Sequence, residues 1–121
     1  MWRVELLGEF ELWLAALPDD ARTAVGFDLD LLATLGPRLS RPYADTVRGS
    51  RFANMKELRT MHAGRHYRTF FAFDPHRRAI VLLGGDKTGD PRFYERMVAR
   101  ADELFARHLA RLKRGDRQRG D

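Results

Sequence analysis

The 121-residue chain contains no cysteine, which removes disulfide frameworks, thiolate metal sites and a cysteine nucleophile together. That composition suits a reducing cytoplasm. No apolar run approaches the roughly 20 residues that a membrane-crossing helix needs, and Met1 to Leu17 carries Glu5, Glu9 and Glu11 where a signal peptide would be continuously apolar. A soluble, cytoplasmic protein without a membrane partner is expected. The histidines, His62, His66, His76 and His108, show no metal-ligand spacing and no accompanying carboxylate cluster, so neither a metal site nor a cofactor is expected. Gly84-Gly85-Asp86-Lys87-Thr88 lacks the spacing of a phosphate-binding P-loop, and no internal repeat is visible.

What is present is a globular balance, 44% hydrophobic and 32% charged, in a length that fits one domain with a modest core. Residues 1–112 are read as that domain. The segment 113–121, from Lys113-Arg114-Gly115 onward, loses all apolar content and is expected to be a basic, disordered tail.

The net charge of +5 is unevenly spread. Residues 1–47 hold four basic and eight acidic side chains, residues 48–87 nine and three, and residues 88–121 nine and six. An acidic first third followed by a basic middle points to a face that meets a polyanion, because Lys and Arg gain affinity for phosphates by releasing counterions.

Periodicity supplies the elements. Trp2 to Leu6 alternates as a short strand, and Phe10, Trp13, Leu14 and Leu17 form a helical stripe ending at Pro18. Asp19 and Asp20 can cap a second helix bearing Val25, Leu29, Leu32 and Leu35, stopped by Gly36-Pro37. Residues 38–50 read as a connection. Three strand-like runs follow, Phe52 to Thr60, His66 to Phe73 and Ala79 to Leu83, separated by turns at Ala63-Gly64 and Asp74-Pro75. The middle run is apolar on both parities and is expected to be the central strand. A turn over Gly84 to Gly89 leads to a helix opened by Asp90-Pro91, with Phe93, Met97, Ala101, Leu104 and Leu109 along one side. The fold class is therefore α+β: a small antiparallel sheet with an N-terminal helical hairpin and a C-terminal helix.

The candidate chemistry lies in the basic middle. Alternation along a strand groups Lys56 with Asn54 and Leu58, and Arg59 with Met55 and Glu57, so Lys56 and Arg59 cannot share a face of a regular strand. Glu57 and Arg59 can form an ion pair two residues apart. Arg68 sits in the most apolar run, where a guanidinium must either meet a carboxylate or open into a cleft that admits a ligand phosphate; the cleft is the favoured reading. Lys87 lies in a glycine-rich turn before a helix N-terminus, a setting suited to anions. Tyr94 can face the sheet or join the core beside Phe93.

These residues, in this order, resemble the RelE/ParE superfamily of toxins from type II toxin–antitoxin systems, in its HigB-like, phage Gp49-like branch. The resemblance rests on Lys56-Glu57-Leu58-Arg59, on Tyr67 to Asp74, on Val81 to Gly89, and on Phe93-Tyr94-Glu95 with Ala101-Asp102. It implies a RelE-like, microbial-ribonuclease-type fold and a ribosome-dependent mRNA endonuclease that cuts A-site codons through metal-independent 2′-hydroxyl attack. Carried over, Arg59 and Arg68 would neutralise the phosphate, Lys56 or Lys87 would help deprotonate the 2′-hydroxyl or hold the rRNA, and Tyr94 would orient the base or nucleotide. Arg51, Arg65 and His66 would contact RNA. The implied partners are the ribosome, mRNA and a helix-turn-helix antitoxin through which the complex binds operator DNA. The alternative on the same fold is a ParE-like, non-enzymatic inhibitor of DNA gyrase. Whether Arg59 and Arg68 converge on one cleft discriminates the two.

Overall fold

The structure, a computed structural model, describes residues 1–119, with side chains as far as Asp116. Strand β1 (Val4–Leu6) is followed by helices α1 (Gly8–Ala15) and α2 (Asp19–Leu35), strand β2 (Ala44–Thr46), strands β3 (Lys56–His62), β4 (Arg65–Phe73) and β5 (Ala79–Asp86), and helix α3 (Phe93–Arg119). The sheet order is β1-β5-β4-β3-β2. The apolar run Tyr67 to Phe73 thus occupies the centre, as its two-faced hydrophobicity requires.

One layer, α1 and α2, covers one face of the sheet, and α3 covers the other. Phe10, Val25, Leu32, Leu58, Phe71 and Val81 form the first core, while Phe70, Ile80, Leu82, Phe93, Ala101 and Phe105 form the second. Helix α2 buries Ala21, Val25, Asp28 and Leu32, the spacing of a single helical stripe. Its one polar member, Asp28, meets Thr60 Oγ1 across the interface at 2.5 Å, and burial pushes its carboxyl up against that bond. No described helix is long and apolar enough to cross a membrane.

Several expectations are corrected. The connection 38–50 contains β2, a short edge strand antiparallel to β3. Strand β1 joins β5 in parallel, so the mostly antiparallel sheet has one parallel edge. Helix α1 ends at Ala15, short of Pro18, and Asp19 and Asp20 lie inside the first turn of α2, whose N-cap is Pro18 without a side-chain bond. Strand β3 begins at Lys56 rather than Phe52. Strand β5 continues through Gly84-Gly85-Asp86, because glycine here makes room: a Cβ at Gly84 would stand 2.4 Å from the Trp13 ring and one at Gly85 2.8 Å from Phe93. The segment expected to be a disordered tail is helical as far as Arg119; residues 120–121 lie outside the described residues.

Two local features fix the register near the site. Ala63 and Gly64 both have positive φ, 49° and 77°, as a two-residue hairpin turn with right-handed strand twist requires. That turn pairs His62 with Arg65 and, three residues on, sets Arg59 directly opposite Arg68. On the other side a shift between Phe70 and Phe71 moves their partners from Leu83 to Val81, so both Leu82 and Leu83 enter the α3-side core. Arg68 then pairs with Gly85.

At the far end, Asp74 ties the β4–β5 turn to α3. Its carboxylate accepts bonds from the backbone amides of His76 and Arg78 at 3.0 Å each and from Arg78 Nη2 at 2.8 Å, and lies 2.9 Å from His108 Nε2. Burial alone would raise its pKa, but His108 and Arg78 outweigh that and bring it down to about 2. A carboxyl that ionises more readily when folded contributes stability above its unfolded value near 3.8, and that contribution is lost as pH falls toward 2. Urea unfolding should lose about 2 kcal/mol through this group between about pH 5 and pH 2. Asp74→Asn should flatten that part of the profile; a variant with the wild-type slope would refute the assignment.

Candidate active site

The α3 face of the sheet is bare of helix at the end near the β3–β4 hairpin, and there the sheet presents Glu57 and Arg59 from β3 and Arg68 from β4. Arg59 and Arg68 are register partners. Tyr94, in the first turn of α3, reaches down to them, and Lys87 extends from the end of β5 with its Nζ 5.7 Å above the Tyr94 ring. A cation placed so is attracted by the ring face.

Glu57 is the centre. It is 3% exposed and Arg68 is 5% exposed. The Tyr94 hydroxyl donates to Glu57 Oε1 at 2.8 Å and accepts from Arg68 Nε at 3.2 Å, and Arg68 Nε itself stands 3.7 Å from Glu57 Oε1. Arg59 Nε donates to Glu57 Oε2 at 3.2 Å. Arg68 also donates from Nη1 to the Tyr67 carbonyl at 3.0 Å. Burial and the bond to Glu57 push the Tyr94 hydroxyl up, with Arg68 opposing, so at neutral pH it remains a donor to the carboxylate.

Two clefts open from this cluster and share Arg59 and Lys87 on their walls. The first, about 500 Å³, reaches Glu57 and Tyr94 and is rimmed by Arg41, Arg48 and Asp45. The bond from Arg41 comes first among the causes that hold the Asp45 carboxyl low. The second, about 550 Å³, is lined by Pro42, Tyr43, Met61 and His66, with Arg68 at its wall. Among the described residues no three His, Cys, Asp or Glu side chains are grouped so as to hold a metal ion.

The sequence expectations divide accordingly. Arg59, Arg68, Lys87 and Tyr94 come together, and His66 borders the same region. Lys56 does not: it shares the parity of Leu58, in the α2-side core, and lines a separate hollow with Leu39 and Ala44, as alternation along the strand demands. Arg51 sits over Phe52 at 5.3 Å, and its backbone amide bonds Asp102. Arg65 is engaged by Asp86 at 2.6 Å; neither lines the two clefts. Arg68 meets both alternatives at once: Glu57 stands 3.7 Å away and the Tyr94 hydroxyl and Tyr67 carbonyl accept from it, while its side chain also lines the second cleft. Glu57 itself was expected only as a partner of Arg59. Its strand parity signalled the shared face, but its contact with Tyr94, 37 residues away, left no local mark. Arg41 and Arg48 were also missed.

Removing one member of a buried ion pair strands the other charge. Arg68→Ala and Glu57→Ala should each destabilise the fold by about 3–5 kcal/mol, whereas the apolar double variant Arg68→Met with Glu57→Leu should lie much closer to wild type. Denaturant melts of the three variants test this, and additive losses in the double variant would refute the coupling.

Comparison with known proteins places the chain in a family. The family profile described as phage derived protein Gp49-like matches residues 12–106. The chain is 48% identical to the candidate toxin HigB3 of Mycobacterium tuberculosis over 108 residues, covering 88% of this chain and 93% of that protein. It is 44% identical to the candidate toxin HigB2 of the same organism over 115 residues, covering 89% of this chain but 57% of that longer protein. The free-state structure of an Escherichia coli RelE toxin with two arginines replaced by alanine superposes with a TM-score of 0.57 at 13% identity, covering 78% of this chain and 92% of that one, which establishes a common fold. The chain belongs to the phage-derived Gp49-like family, among relatives of the HigB type.

Proposed function

We propose that this chain is the toxin of a type II toxin–antitoxin system and acts as a metal-independent, ribosome-dependent mRNA endonuclease. The observation that carries the reading is the convergence of Arg59, Arg68, Lys87 and Tyr94 on the buried Glu57, on one sheet face between two clefts. A scissile phosphate seated between Arg59 and Lys87, on the wall the clefts share, has one nucleotide in each.

The geometry supports the following chemistry. In the first cleft the 2′-hydroxyl of the upstream nucleotide faces Glu57, which takes its proton while the 2′-oxygen bonds to phosphorus. The guanidinium of Arg59 and the ammonium of Lys87 neutralise the phosphorane, as fixed cations do best in a partly dry site. The bond to the 5′-oxygen breaks in the second cleft, where His66 supplies a proton to the leaving oxygen. The products are a 2′,3′-cyclic phosphate and a 5′-hydroxyl. Arg68 and Tyr94 hold the Glu57 carboxylate in place rather than meeting the phosphate. Lys56, on the opposite face, has no part. A small antitoxin of helix-turn-helix type neutralises the chain and carries the complex to operator DNA.

Primer extension on a defined mRNA in a reconstituted translation system tests this. Wild type should cut A-site codons and leave free RNA nearly intact. Arg59→Ala should slow cleavage about 10²- to 10³-fold and Glu57→Gln about 10²- to 10⁴-fold, both folded by circular dichroism. Intact mRNA from folded wild-type protein would overturn the nuclease reading and turn attention to gyrase.

A further inference from the structure

The two clefts that meet at Arg59 and Lys87 differ in chemistry. The first is rimmed by Arg41, Arg48 and Asp45, a surface suited to a sugar-phosphate backbone. The second carries Tyr43, Met61 and Pro42 beside His66. Tyr43 is 46% exposed and Met61 72% exposed, and large apolar side chains left open beside a cationic wall mark a binding surface. A Tyr ring and a Met thioether offer flat, polarisable contact, which is what a nucleobase face takes up when it leaves its stack.

Local structure holds this platform open. Strand β2 pairs with β3 only from Lys56 to Leu58. Beyond the bond from the Arg59 amide to the Tyr43 carbonyl at 2.8 Å, β3 runs on to Met61 paired only with β4. The cleft occupies the notch where β2 stops, and the 550 Å³ it encloses is within the range of small-ligand sites.

We infer that the Tyr43–Met61 notch is a base-stacking subsite for a single unpaired nucleotide, the one on the 3′ side of the phosphate seated between Arg59 and Lys87. The inference rests on the nuclease reading for the direction of the strand, but base binding in the notch is measured without cleavage. Stacking tolerates any base, since each has a π-face. The subsite therefore contributes hold and orientation more than sequence choice. It places the leaving 5′-oxygen against His66, and it requires that the downstream base be unstacked from its neighbour.

The test is equilibrium binding of the full chain to a 2′-O-methyl trinucleotide, which cannot be cut, and to the same molecule lacking its 3′-terminal base. Wild type should bind the intact trinucleotide about tenfold more tightly than the abasic one. Tyr43→Ala should erase that ratio and Tyr43→Trp should keep it, while Arg59→Ala should weaken both ligands and leave the ratio in place. Equal binding of the two ligands by wild type, or an unchanged ratio in Tyr43→Ala, would overturn the subsite. The nuclease reading fails separately: a base-dependent ratio with no mRNA cuts keeps the subsite and removes the reaction, and cuts with no base dependence do the reverse.

Discussion

Putting a guanidinium into the central strand of a sheet is a costly choice, and the rest of this structure is organised around making Arg68 tolerable. A cation there must find an anion in the same layer. The anion is Glu57, one strand over, and the hydroxyl of Tyr94 bridges the two from the helix above. Three elements therefore have to meet at one point before the charge is compensated. The two-residue turn at Ala63-Gly64, the shifted pairing of β4 with β5 and the entry angle of α3 all serve that meeting. The ionic centre sits beside a core of Phe70 and Phe93, whose rings lie 6.0 Å apart, which keeps water from one side of the pair.

The same arrangement bears on the proposed handling of an RNA phosphate. The buried pair is internally neutral, and two more cations stand on its rim: Arg59, which donates to Glu57 and Asp45, and Lys87. In the proposed reaction labour divides by depth: the deep residues fix geometry, and the shallow ones are those that would meet phosphate. Arg78, Asp74 and His108 make a second buried ionic knot at the opposite end of the sheet, so α3 is fastened to the strands by polar contacts near both ends of its packed length and by Phe93, Ala101 and Phe105 between them.

Much of this was legible in the chain. The central position of β4 followed from apolar residues on both parities, and α3 from its helical stripe. The Ala63-Gly64 turn was visible, although the register it sets, Arg59 against Arg68, was left open, and strand parity separated Lys56 from Arg59. What was hidden is equally physical. Ala44-Asp45-Thr46 has no alternation of its own and becomes a strand only because β3 offers it an edge. The glycines of β5 read as a turn because their purpose is to admit rings from other elements. The partner of Arg68 lies one strand over and a helix away, and pairings of that kind leave no periodic trace. Helical continuation past Lys113 likewise escaped a reading based on apolar content, since the segment packs little and holds its form from the preceding turns.

Gly84 and Gly85 carry one more implication. The Trp13 ring presses on the first from α1, and Phe93 and Met97 press on the second from α3, so the sheet is pinched between two helices that are themselves tied together by the Arg100–Glu9 ion pair. Strand β5 is at its thinnest two residues before Lys87. A partner that tilted α1 away from the sheet would slacken this clamp, and the displacement would pass through a single layer of backbone to the ammonium group and the Tyr94 ring on the other side. The acidic helical face, remote from the clefts by sequence and by layer, is mechanically next door to them.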